Sequence, residues 1–104
     1  MKLHITTQIQ ENYGAHDWDG EGACPQYWKF KGGNDFFVPN IKNDEEATMA
    51  VMALRERIEE DNEYYREQII GWGLVKNDFM TDFEKSQLEY EGSITYPAKV
   101  LEWA

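Results

Sequence analysis

The chain has 104 residues, 41% hydrophobic and 14% aromatic, with one cysteine and a net charge of −10. That is enough apolar material for a single domain over 1–104, and it argues against disorder, an internal disulfide framework and dependence on a structural metal. The charge is lopsided: the first 43 residues carry four lysines against five acids, the rest six Lys or Arg against fifteen acids, and such a field repels nucleic-acid phosphates and anionic membranes.

Met1 to Thr7 lacks the apolar run of a secretory signal. No stretch approaches the ~20 apolar residues of a membrane span, so a cytoplasmic protein is expected. Leu3, Ile5, Thr7 and Ile9 alternate with Lys2, His4, Thr6 and Gln8, which is the period of a half-buried strand. A glycine-containing loop follows over about residues 10–25. Gln26 to Lys31 alternates again, and its Trp28 and Phe30 share a face read as core. Gly32-Gly33-Asn34 has the composition of a hairpin turn, Asp35 to Val38 reads as the returning strand, and Pro39 limits it.

Asn43 to Glu46 is a helix start, with Asn43 as cap and three acids at the positive end of the helix dipole. Ala47, Val51, Leu54, Ile58, Tyr65, Ile69 and Trp72 then recur at helical spacing. The pattern leaves open whether this helix runs to about Ile70 or breaks near Asp61; Gly71 and Gly73 end it. Thr81 to Glu84 is a second capping box, opening a short helix to about Tyr90 that Gly92 stops. Ser93 to Tyr96 and Val100 to Trp103 read as strands on either side of Pro97. The order predicts an α+β fold: a small, mainly antiparallel sheet with a β-hairpin, one long amphipathic helix packed on one face and a second short helix. Burying Val51, Leu54, Ile58 and Ile69 would contribute ~1.5–3 kcal/mol each.

Residues 13–37 hold seven of the fifteen aromatic residues and five of the eight glycines, a mix suited to a binding loop held on a rigid scaffold. The candidate contacts are Tyr13, His16, Asp17, Trp18, Asp19, Glu21 and Trp28. Exposed Trp and Tyr dominate binding energy, and carboxylates select a basic protein partner. Asp17, Asp19 and Glu21 also place oxygens at alternate positions before Gly22, as a calcium loop does. The twelfth position is Trp28 rather than a bidentate Glu, so at most weak divalent-cation binding is expected, and a solvated turn is the plainer reading. A nucleobase could stack on the rings with Lys29 and Lys31 near its phosphates.

His4, His16 and Cys24 lack the paired spacing of a zinc site. Cys24 with His16 could serve as nucleophile and base, but carboxylates close by raise a thiol's pKa, and no nucleophile, phosphate-loop or dinucleotide signature occurs. A continuous helix would align Glu56, Glu60, Glu63 and Glu67 as a carboxylate stripe, either a solvated face or a mimic of phosphates.

The segments Ile5 through Gly20 (ITTQIQENYGAHDWDG) and Cys24 through Gly33 (CPQYWKFKGG) resemble small uncharacterised accessory proteins of tailed bacteriophages, over about the first third of the chain. The resemblance implies a viral accessory protein acting in a bacterial cytoplasm, in a class that often binds and inhibits host or defence proteins. It carries over no activity and no site residue. The leading expectation is a non-enzymatic binding module for a basic protein surface, without direct nucleic-acid or membrane binding. The alternative is a nucleotide or weak divalent-metal binder using the 10–28 loop. An enzyme built on His16, Cys24 and Asp17 stands behind both.

Overall fold

The computed structural model describes residues 1–103. Its organising element is β1 (Lys2–Asn12), which pairs antiparallel along both of its edges. On one side lies β5 (Tyr65–Val75). On the other lie β2 (Trp28–Gly32), against the end of β1, and β3 (Asp35–Val38), against its start. Two short strands complete the edges: β4 (Glu60–Asp61), antiparallel to β5, and β6 (Lys99–Val100), parallel to β3. With α1 (Asp44–Ile58) and α2 (Asp82–Glu91) the chain is an α+β fold, as the order of its elements predicts.

Strand alternation sends Leu3 and Ile5 of β1 and Phe36 and Val38 of β3 to one face, where all four are buried. Ala47, Ala50, Val51, Leu54 and Ile58 of α1, three or four residues apart, meet them together with Ile41. Ile69, Leu74, Leu101 and Trp103 form the rim of this core. Local chemistry sets the helix ends. Asn43 accepts a hydrogen bond from the Glu46 N–H at 2.9 Å, and acids fill the first turn of α1. In α2, Thr81 and Glu84 form the complete capping box, and Gly92 at φ 75° closes the helix.

Three segments depart from the sequence expectation. The helix ends at Ile58, and residues 65–75 are a strand, not its continuation. A β-bulge at Ile70 shifts the alternation of β5 by one residue: Thr6 opposes Gly71 whereas Thr7 opposes Ile69. Tyr65, Ile69 and Trp72 consequently share a face at spacings of four and three, which imitates a helix. The β-branched and aromatic content of 65–75 favours the strand. The acidic stripe dissolves with the helix, because Glu56 lies on α1, Glu60 on β4 and Glu63 in the turn after it, while Glu67 is buried in β5.

Gly32-Gly33-Asn34 does not reverse the chain, since β2 and β3 both run antiparallel to β1 in one direction. The β4–β5 pair supplies a tight hairpin instead. A Cβ on Gly33 would stand 1.9 Å from the Thr7 carbonyl oxygen, so glycine is required there for close approach to β1. Residues 93–96 form no strand. The Gln87 side chain takes up their backbone, accepting from the Thr95 and Tyr96 N–H groups and donating to the Tyr96 carbonyl. The strand expected over Val100 to Trp103 shrinks to β6, with one further backbone bond from Leu101 to Phe37.

The helix-covered core stops near Ile5 and Ile69. Beyond it, the ends of β1 and β5 and all of β2 continue as a three-stranded ribbon. Phe30, expected in the core, is 66% exposed on this ribbon. The radius of gyration, 16.6 Å, accordingly exceeds the ~13 Å of a compact chain of this length.

Candidate functional site

The ribbon ends in two loops, residues 13–27 and the turn at 62–64. Asn12, the last residue of β1 and fully buried, joins them. Its Nδ2 donates to the Pro25 carbonyl at 2.8 Å and the Glu63 carbonyl at 2.9 Å. Its Oδ1 accepts from Gly14 N–H at 3.0 Å and Tyr27 N–H at 2.7 Å. The Asn12 backbone N–H donates to the Tyr64 carbonyl at 2.9 Å. A long excursion thereby gains a fixed shape, with Tyr13 to Asp17 wound into a 3-10 turn. The residue went unnoticed in the sequence. Its only local signal is an Asx turn onto Gly14, which any Asn ahead of a glycine could offer.

Tyr13 is half-buried between two cations of its own chain, the Lys29 and Lys31 ammonium groups 5.2 and 4.9 Å from its ring centre, and the His16 ring packs 5.1 Å from it. His16 Nε2 also lies 2.9 Å from Glu11 Oε1, and Lys31 3.5 Å from the same carboxylate. The Tyr13 hydroxyl first, and then Glu11, hold the Lys31 ammonium above its ordinary pKa. Trp28 belongs to a separate contact, with the Arg66 guanidinium 3.9 Å from its ring and its indole N–H donated to Gln26.

Trp18 is placed differently. It packs 6.4 Å from the Tyr64 ring, bridging the two loops, and its indole N–H donates to the Glu21 carbonyl. Among the described residues no lysine or arginine lies over its ring. Asp17, Asp19, Glu21 and Glu63, in the same two loops, are all exposed. Asp19 accepts from the Glu21 N–H at 3.0 Å, the local turn bond open to such an acid. No three His, Cys, Asp or Glu side chains among the described residues are gathered so as to hold a metal ion, and Asp17, Asp19 and Glu21 form no such group.

His16 and Cys24 are not paired. The nearest polar partners of Cys24 are Asn12 Nδ2 at 3.7 Å and the Pro25 carbonyl at 3.6 Å. Burial first, and then the Glu63 carboxylate, push the Cys24 thiol up, the wrong direction for a nucleophile at neutral pH.

Where the ribbon meets the core, Glu67 is buried and forms no ion pair among the described residues. It accepts from the Thr7 hydroxyl at 2.6 Å, Asn34 Nδ2 at 2.9 Å and the Tyr65 hydroxyl at 3.1 Å. Three neutral donors satisfy it, as burial of a carboxylate requires.

A cleft of about 400 Å³ lies elsewhere, between Gly33–Asp35, the start of α2 and residues 95–99. None of its lining residues belongs to the 10–28 loop. No helix among the described residues is long and apolar enough to cross a membrane. No protein-family model, curated protein or solved structure matches the chain.

Proposed function

We infer that this chain is a non-enzymatic binding module whose ribbon tip engages a basic protein surface. The observation that carries the reading is Trp18: partly exposed, braced on Tyr64, free of any lysine or arginine of its own chain among the described residues, and set among four exposed carboxylates. Tyr13 and Trp28 already hold lysine or arginine near their rings and act as braces. A lysine or arginine offered by a partner would find the open ring face at Trp18 and a countercharge at Asp17, Asp19, Glu21 or Glu63. The fixed backbone around Asn12 lowers the ordering cost of binding. The resemblance to phage accessory proteins directs the search for that partner to bacterial host and defence proteins, which the bound module would inhibit.

Pull-down from bacterial lysate, followed by titration of the recovered partner, tests this reading. Trp18→Ala should weaken the complex by at least ~1 kcal/mol. Equal affinity of wild type and variant contradicts the reading.

A nucleotide is the second candidate ligand, favoured by the two lysines around the Tyr13 ring. A thermal-shift screen with nucleotides and divalent ions separates the two readings, because a ligand present at ~100 times its dissociation constant adds ~2.7 kcal/mol of stability. A flat response removes the nucleotide and the cation together.

A further inference from the structure

β5 is an edge strand for most of its length. Its inner side is paired with β1, but on its outer side β4 reaches only Arg66 and Glu67. The Ile69 N–H is met by the Glu59 carboxylate at 2.9 Å. Beyond that point no strand among the described residues covers the outer edge through Val75. Natural edges are blunted by charge, proline or brevity. Residues 69–75, Ile-Ile-Gly-Trp-Gly-Leu-Val, have neither charge nor proline. Blunting is confined to the end nearest β4, where the Glu59 carboxylate caps Ile69 and the bulge falls at Ile70. Ile70 is 61% and Trp72 41% exposed, and a Cβ on Gly71 or Gly73 would meet nothing within 4 Å.

The stretch is also nearly palindromic about Trp72. Gly71 mirrors Gly73, Ile70 mirrors Leu74, and Ile69 mirrors Val75. When identical strands pair antiparallel about a twofold axis, residues equidistant from the axis oppose each other. With the axis at Trp72, the two tryptophans meet across the dyad and glycine meets glycine on either side; beyond Gly71 the bulge at Ile70 breaks the alternation and the matching ends there. The lengths agree as well. Leu74, one residue before the end of β5, would lie against the partner's bulge at Ile70, and the turn closed by the Phe79–Lys76 backbone bond then carries the chain away. The register with β1 puts Trp72 opposite Ile5 and Leu74 opposite Leu3, on the face covered by α1. The tryptophan pair would therefore extend two cores into one.

The surface area points the same way. The chain exposes 7090 Å², whereas a folded monomer of 12.2 kDa exposes about 6,100 Å². The excess of roughly 1,000 Å², to which the uncovered ribbon also contributes, is comparable to the ~800 Å² that each partner buries in a standard interface. We propose that the chain is a symmetric homodimer, joined by antiparallel pairing of β5 with β5 of a second copy across a twofold axis at Trp72.

Analytical ultracentrifugation of the full chain tests this directly. Wild type should sediment at twice the 12.2 kDa chain mass. Trp72→Lys and Trp72→Glu each remove a central aromatic pair and set like charges opposite each other, and each should weaken self-association at least ~30-fold. Mixing the two variants should restore a one-to-one dimer, because position 72 then pairs opposite charges. If circular dichroism shows that either Trp72 variant is unfolded, Ile70→Lys, at a residue already mostly in solvent, should give the monomer instead. A wild type that is monomeric at every accessible concentration overturns the proposal. So does a folded Trp72→Lys or Ile70→Lys that dimerises like wild type, or a mixture of the Lys and Glu variants that stays monomeric. Trp18→Ala should leave the dimer intact, which keeps this result separate from the reading of the tip.

Discussion

Asn12 places one amide among four backbone groups drawn from the Gly14 turn, the Pro25–Tyr27 segment and the Glu63 turn. Removing it leaves four part-buried backbone donors and acceptors without their common partner, which costs more than the bonds themselves contribute. Asn12→Ala should lower stability by ~2–3 kcal/mol, seen as a lower urea midpoint at unchanged slope. A loss below ~0.5 kcal/mol, the ordinary level of a surface change, would contradict its bridging role. Tyr65 offers a pH signature at the same scale. Burial first, and then the hydrogen bond to Glu67 and its charge, push the phenol from 10.0 up to about 12. The folded state thus holds this proton more tightly than the unfolded one. The stability it contributes is complete below pH 10 and is lost as pH rises from about 10 through about 12. Tyr65→Phe should remove that alkaline component of unfolding, and an unchanged slope between pH 10 and 12 would contradict it.

At the level of elements, the parts that could be read from sequence are those set by near neighbours. The Asn43 cap and the Thr81–Glu84 box each join residues three apart, and both helix starts lie where those patterns put them. The core face of α1 follows from spacing alone. The aromatic loop was visible because Trp, Tyr and Gly concentrate there. Misreadings arose where a long-range contact decides the local conformation. The bulge at Ile70 gave β5 a helical period, and Gly33 looked like a turn because its reason for being glycine is the Thr7 backbone, 26 positions away. Asn12 was missed for the same reason, since its Glu63 partner lies 51 residues on. Gly33→Ala makes the point testable. A methyl group 1.9 Å from a carbonyl oxygen forces β1 and its neighbour apart, and the cost should be about 3 kcal/mol, at the upper end for overpacking. A thermally neutral Gly33→Ala would mean that this close approach does not exist.

Taken whole, the molecule is 49 Å long and 17 Å thin, because one helix covers the core half of the sheet and the ribbon runs on without it. The two halves have separate proposed tasks. The neutral edge of β5 would join copies, and the tips, carrying Trp18 and its surrounding acids, would stand away from the core and meet a partner. An acid excess of ten charges also disfavours nonspecific contact with anionic polymers and speeds encounter with basic proteins. The most direct measurement is capture of bacterial lysate proteins on immobilised wild type and on Trp18→Ala, quantified protein by protein at several salt concentrations. One or a few basic proteins should be retained by wild type and lost from the variant, with retention falling as salt rises. Retention of the same proteins in the same amounts on both would contradict the assignment of the ribbon tip as the binding surface.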